Sequence, residues 1–195
     1  MNNYVTGAAI KLLRERKKLT QSELADMISV SGKAVSRWET GKGFPDISLI
    51  EPISKALGIS VIELISGELV TNGNRSANMK RSAFYVCPVC GNIIHSTGDA
   101  LISCCGITLP RLEADAEEGS HILNIEKIED ELYVTLDHEM TKEHYISFIA
   151  YVTDSKTELV KLYPESNAET RFFARGSGDI YFYCNRHGLY KRSYR

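Results

Sequence analysis

Apolar residues recur at intervals of three and four from Gly7 to about Gly67: Ile10, Leu12 and Leu13, then Leu24, Ala25 and Ile28, then Val35 and Trp38, then Ile47, Ile50, Ile53 and Leu57, then Val61, Ile62, Leu64 and Ile65. That period puts one apolar stripe on each of a series of short helices. The breaks between blocks carry helix-start and helix-stop chemistry. Thr20 with Glu23, and Ser60 with Glu63, form capping boxes, in which the hydroxyl accepts from a first-turn amide and the carboxylate reaches back to the cap. Ser31 and Asp46 cap two further helices; Gly41, Gly43 and Pro45 end the third, and Gly58 closes the fourth. Five short helices are predicted.

Residues 68–83, ELVTNGNRSANMKRSA, lose the period and read as a linker by composition. Beyond them come short β-prone runs, FYVC, HILNIEKI, ELYVTL, YISFIAYVT, LVKLY and DIYFYC, broken by Gly, Asp, Asn, Pro and Ser. That spacing predicts an all-β sandwich or barrel of seven or eight strands. The expected organisation is multidomain α plus β: a helical domain over 1–67, a linker over 68–83, a cysteine-bearing knuckle over 84–112 and a β domain over 113–195.

The formal net charge of −2 conceals an asymmetry: residues 1–86 carry 12 Lys and Arg against 8 Asp and Glu, residues 87–195 carry 11 against 17. A basic part joined to an acidic one suggests a nucleic-acid-facing module attached to something else. No apolar run approaches the ~18 residues of a membrane span, and the N-terminus lacks a signal-peptide stretch, so no membrane partner and a cytoplasmic location are expected. Cytosolic thiols stay reduced. Five cysteines, all in the acidic part, therefore point to metal or redox chemistry rather than to disulfides.

Within the basic part, two short helices meet at a tight connection over 29–31, with Lys33, Ser36 and Arg37 on the outward face of the second and Val35 and Trp38 turned inward. A helix laid in the major groove needs such a partner helix behind it. Residues 7–66 resemble the helix-turn-helix domain of the lambda-repressor and Xre-type regulators, in the T-Q-x-E-L-A opening, the A-V-S-R-W-E-x-G-K third helix, the P-D turn and the A-L-G-I-S closing helix. The resemblance implies that Gln21, Thr40 and Lys42 hold phosphates of a double-stranded DNA operator and that Gly32, Lys33, Ser36 and Arg37 sit at or near base edges. Lys33 and Arg37 suit guanine. The alternative is an interaction module whose charges form a solvated face.

In the acidic part, Cys87-Pro88-Val89-Cys90-Gly91 is followed by Cys104-Cys105-Gly106. Two close thiol pairs can complete a four-sulfur site for iron or zinc; a redox dithiol is the other reading. Adjacent cysteines are unusual in a zinc ribbon, and the pattern resembles desulforedoxin, an iron-tetrathiolate protein. The fifth cysteine lies in Cys184-Asn185-Arg186-His187-Gly188-Leu189-Tyr190, downstream of His121 and of His138-Glu139-Met140-Thr141-Lys142-Glu143-His144-Tyr145-Ile146. Four of the five histidines fall at predicted ends of β-runs, and one is three residues from a cysteine. These segments resemble the superoxide reductase domain of desulfoferrodoxin and neelaredoxin, with Glu139 where the family motif has proline and Tyr190 where it has tryptophan. Residues 84–192 together resemble a two-centre desulfoferrodoxin.

What that resemblance implies is an immunoglobulin-like sandwich with iron at both sites, zinc being an alternative at Cys87, Cys90, Cys104 and Cys105. His121, His138, His144 and His187 would give four equatorial nitrogens and Cys184 an axial thiolate. The open sixth position is where family members reduce superoxide to hydrogen peroxide with one electron and two protons. His95 receives no role. One departure is serious: the family's Glu-Lys pair before the first iron histidine is replaced by Gly119 and Ser120. Glu117 and Glu118 would repel an anion, and Lys142 is the nearest substitute cation in sequence.

Three readings compete: a transcription regulator whose iron module senses superoxide, redox state or iron; a superoxide reductase with a DNA-binding domain, served by a rubredoxin-type electron donor; and a DNA-binding protein with structural metal only. The fusion and the missing pair favour the regulator, and paired half-sites favour a homodimer.

Overall fold

The computed structural model describes residues 3–173 and 176–195, which form two compact units divided between Thr71 and Asn72. The first is the expected set of five helices: α1 (Asn3–Arg16), α2 (Gln21–Met27), α3 (Gly32–Glu39), α4 (Ile47–Leu57) and α5 (Val61–Ser66). Helix α1 begins before Gly7. Both capping boxes form, Ser31 and Asp46 cap α3 and α4, and Gly58 ends α4 in the left-handed conformation at φ 72°. The apolar stripes converge on a core that includes Ile10, Leu24, Val35, Trp38, Ile53 and Leu64. Gly7 makes that core possible, because a Cβ there would stand 2.0 Å from the Trp38 carbonyl oxygen; only glycine lets α1 lie this close to α3.

The second unit starts inside the stretch expected as a linker. Asn74 is buried and its side-chain amide donates to the carbonyls of Asn78 and Thr97, while its oxygen accepts from the Asn78 amide. Those bonds fix the chain ahead of a 3-10 turn at Met79–Arg81. Two hairpins follow, β1 (Ala83–Val86) with β2 (Ile93–Ser96), and β3 (Ile102–Cys104) with β4 (Ile107–Leu109).

The remaining strands are β5 (Ala114–Asp115), β6 (Leu123–Ile128), β7 (Glu131–Leu136), β8 (Ile146–Val152), β9 (Thr157–Lys161), β10 (Glu169–Phe173), β11 (Gly178–Cys184) and β12 (Gly188–Tyr194). They make one sheet in the order β10-β7-β6 and another in the order β5-β12-β11-β8-β9, so the sandwich has eight strands among the described residues. Leu132, Val134 and Phe172 of the first sheet meet Ile149, Tyr151, Ile180 and Phe182 of the second. The outer face of the second sheet is also covered, since Phe148, Ala150, Val152 and Tyr181 cluster with Phe84 of the knuckle. Double coverage explains why every residue of β8 is buried and why its sequence is a continuous apolar run rather than an alternation. No helix among the described residues is long and apolar enough to cross a membrane.

Candidate metal centres and nucleic-acid face

On α3, Lys33 and Arg37 are exposed one turn apart, and with Ser31, Ala34, Gly43 and Phe44 they border a groove of about 350 Å³. Gly32, at the start of α3, is not demanded by packing, since a Cβ there would meet only Ser22 backbone at ordinary distance. Ser36 is half-buried; Thr40 and Lys42 are exposed, and the Thr40 hydroxyl donates to the Ser36 carbonyl at 2.8 Å. Gln21 is half-buried, and its side-chain amide donates to Glu39 Oε2 at 2.8 Å. The same carboxylate accepts from Arg14 Nε at 2.6 Å and Nη2 at 3.0 Å, with only 2% of the Glu39 side chain and 11% of the Arg14 side chain exposed. This buried pair joins α1 to α3 and raises the Arg14 pKa, chiefly through its hydrogen bond to Glu39. Two charges 25 residues apart carry no sequence signal for such a contact.

The adjacent cysteines are explained by the β3–β4 hairpin. Its two-residue loop is Cys105-Gly106, with φ of 51° and 79°. Successive positive φ values define the tight turn whose twist suits a hairpin. Cys104 therefore ends a strand and Cys105 occupies the first turn position, with both sulfurs toward Cys87 and Cys90. The turn that carries Cys87 and Cys90 closes through Gly91, at φ 68°, whose amide donates to the Cys87 carbonyl at 2.8 Å. Cys90 and Cys104 sulfurs lie 3.6 Å apart and Cys104 and Cys105 sulfurs 3.9 Å apart. Tetrahedral thiolates with bonds of about 2.3 Å stand roughly 3.8 Å from one another, so the set fits a single metal ion.

The Cys90 backbone amide draws the Cys87 thiol down to about 7, while hydrogen bonding with Cys90, Cys87 and Cys104 pushes Cys105 up to about 12. Metal must displace those protons. Cys104→Ser is expected to cost one equivalent of bound metal while leaving the histidine centre loaded, and metal addition to wild-type apoprotein in weak buffer is expected to acidify the solution. Metal analysis and pH recording check the two; loss of both equivalents in Cys104→Ser would refute independent sites.

The four histidines and Cys184 also converge. His121 stands just before β6, His138 and His144 in the loop joining β7 to β8, Cys184 at the end of β11, and His187 in the tight turn into β12. His121 Nε2 and His138 Nε2 are 3.2 Å apart, as are His144 Nε2 and His187 Nδ1, and Cys184 Sγ is 3.4 Å from His187 Nδ1. Nitrogens on the edges of a square with bonds of about 2.1 Å are ~3.0 Å apart, so this donor set too fits one metal. Burial, reinforced by the neighbouring rings, lowers the His121 pKa, and burial lowers that of His138. Both are thereby kept as the neutral imidazoles a metal needs. Tyr190 stacks on His121 at a centroid distance of 4.5 Å and an interplanar angle of 13°, with Phe182 behind it. His95 packs on Phe84, outside both clusters.

The rim carries little to attract an anion. Gly119 and Ser120 form a tight turn in which the His121 amide donates to the Glu118 carbonyl at 2.9 Å, with Gly119 at φ 58°. Glu117 is committed inward, accepting from the Leu123 amide at 2.8 Å and pairing with Arg192 at 3.6 Å. Lys142 pairs with Glu165 at 3.7 Å, both side chains exposed. Arg186, which has no sequence signal of its own, donates to the Glu143 carbonyl at 3.1 Å; the Glu139 pKa is lowered chiefly by its hydrogen bond with His144, with Arg186 a lesser contributor.

These observations define a two-part molecule, a five-helix unit and a β-rich unit with two cysteine-containing, metal-capable clusters. Residues 10–64 match the helix-turn-helix family model and residues 110–193 the desulfoferrodoxin family model; the chain joins an Xre-type helix-turn-helix domain to a desulfoferrodoxin domain. The HTH-type transcriptional activator BcrR of Enterococcus faecalis is 41% identical over 81 residues, covering 40% of this chain and 39% of BcrR. Desulfoferrodoxin of Clostridium acetobutylicum is 35% identical over 80 residues, covering 40% of this chain and 64% of that protein. The chain thus spans less than two thirds of either relative. The superoxide reductase structure from Treponema pallidum shares the fold of the second unit, with a TM-score of 0.52 and 22% identity over 58% of this chain and 98% of that one. A desulfoferrodoxin domain implies iron binding.

Proposed function

We propose that this chain is a DNA-binding transcription regulator whose desulfoferrodoxin module reads redox state or iron supply. The observation that carries the reading is a complete four-histidine, one-cysteine cluster beneath a rim in which Gly119-Ser120 offers no cation. Iron held by His121, His138, His144, Cys184 and His187 would supply one-electron chemistry there. Around it the chain's own groups hold the donors: Tyr190 steadies the His121 ring, and the Asn185 side chain accepts from the Tyr145 amide and donates to the Glu143 carbonyl, tying the two donor loops together. In the first unit Lys33, Ser36 and Arg37, with Gly32 beside them, would face bases, and Gln21, Thr40 and Lys42 phosphates, of a duplex operator. Cys87, Cys90, Cys104 and Cys105 would hold a second iron, or zinc. The regulator is proposed to act in the cytoplasm as a homodimer.

The test is operator titration of ferrous, ferric and metal-free protein. Affinity is expected to differ between states by 5- to 150-fold, a coupling of about 1–3 kcal/mol. Arg37→Ala should cost about 1–3 kcal/mol in every state and relax specificity. Equal affinity in all three states would refute sensing.

The completeness of the donor set favours one further reading, a superoxide reductase anchored to DNA and supplied by a rubredoxin-type donor. Pulse radiolysis separates the two. A sensor without a cation at Ser120 should meet superoxide slowly, and Ser120→Lys should speed the encounter by attraction. Ser120 is the position to change, because Gly119 at φ 58° would strain any other residue. Rapid wild-type reaction with unchanged operator affinity would establish the enzyme instead, and neither effect would leave structural metal only.

A further inference from the structure

Two of the donor histidines use one ring nitrogen for the cluster and rest the other on an acceptor. His138 Nδ1 lies against the Glu139 main-chain carbonyl. His144 differs: its Nδ1 lies 3.0 Å from Glu139 Oε2, a carboxylate. Glu139 therefore addresses two donors at once, His138 through its backbone and His144 through its side chain. With acceptors at both Nδ1 positions, those nitrogens carry the protons, and the Nε2 lone pairs are left facing the cluster. The proline of the motif that this segment resembles has no side-chain acceptor to offer.

We infer that Glu139 is a positioning residue of the histidine–cysteine centre: its carboxylate fixes the tautomer and ring orientation of His144 and places a negative charge behind that donor. A carboxylate behind a metal-bound imidazole makes the ring a stronger donor and favours the more highly charged metal ion. This rests on the reading of the five side chains as an iron centre. The Glu139 side chain is 57% exposed, so solvent screens the charge and the orienting effect is the larger part. Exposure also means that substitution there leaves the sandwich core untouched.

The experiment uses the iron-loaded full chain and the variants Glu139→Gln, which keeps a neutral acceptor, and Glu139→Ala, which keeps none. Chelator competition reads ferrous-iron affinity, and a redox titration of the cysteine-to-ferric absorption reads potential. Glu139→Ala is expected to weaken iron binding by about 10- to 100-fold, the range for lost supporting partners. Glu139→Gln should retain most of the affinity yet raise the potential; a tenfold loss of ferric preference corresponds to about 59 mV for one electron. Wild-type affinity and potential in both variants would overturn the assignment. Failure of the wild-type chain to hold iron on the histidines and Cys184 would instead overturn the underlying reading of the centre.

Discussion

Replacing Arg14 with alanine is expected to destabilise the helical unit by about 3–5 kcal/mol, the cost of leaving one member of a buried ion pair unpaired. The Glu39 side chain is 2% exposed and its carboxylate takes two bonds from Arg14, leaving Gln21 as its partner among the described residues when the guanidinium is removed. A small domain has only about 5–15 kcal/mol in all, so the helices should melt well below the wild-type temperature. Circular dichroism of wild type, Arg14→Ala and the double variant Arg14→Met with Glu39→Leu checks this. The double variant should recover much of the loss, because an apolar pair of similar volume can replace a buried ion pair. A single variant as stable as wild type would mean that the pair contributes nothing net.

His187→Ala is expected to reduce iron affinity at the histidine–cysteine centre by more than the ~100-fold limit for supporting residues, since it removes a donor atom outright. His187 Nδ1 lies 3.2 Å from His144 Nε2 and 3.4 Å from Cys184 Sγ, at the junction of the nitrogen and sulfur donors. Metal analysis should show one equivalent lost and the cysteine cluster still loaded. Retention of both equivalents would place the metal elsewhere.

The helices were legible in the sequence because their signals are local: a period of three and four, and hydroxyl caps three residues before a glutamate at Thr20 and Ser60. Strand β8 was legible as an apolar run; the four knuckle cysteines were legible from their paired spacing, and the histidine–cysteine donors through the family motifs that their segments resemble. Strand β10, Glu-Thr-Arg-Phe-Phe, was not; with two charged side chains in five residues, its identity comes from pairing with β7. The end of the linker was hidden similarly, since only contacts with Thr97 and Asn78 show that Asn74 is structural. Arg14–Glu39 and Glu139–His144 depend on folding to bring charge to its partner, and composition cannot show that.

Trp38 is the single tryptophan of the chain, and it lies buried in the helical core beside the groove bordered by Lys33 and Arg37. With Tyr190 at the ring that stacks on His121, the metal-bearing unit contains no indole at all. Fluorescence excited selectively at tryptophan therefore reports one unit, while visible absorption by iron bound at its cysteines would report the other. A change in emission on iron oxidation, with no DNA present, would be a signal received across the domain boundary, and operator binding could be followed at the same wavelength without any added label.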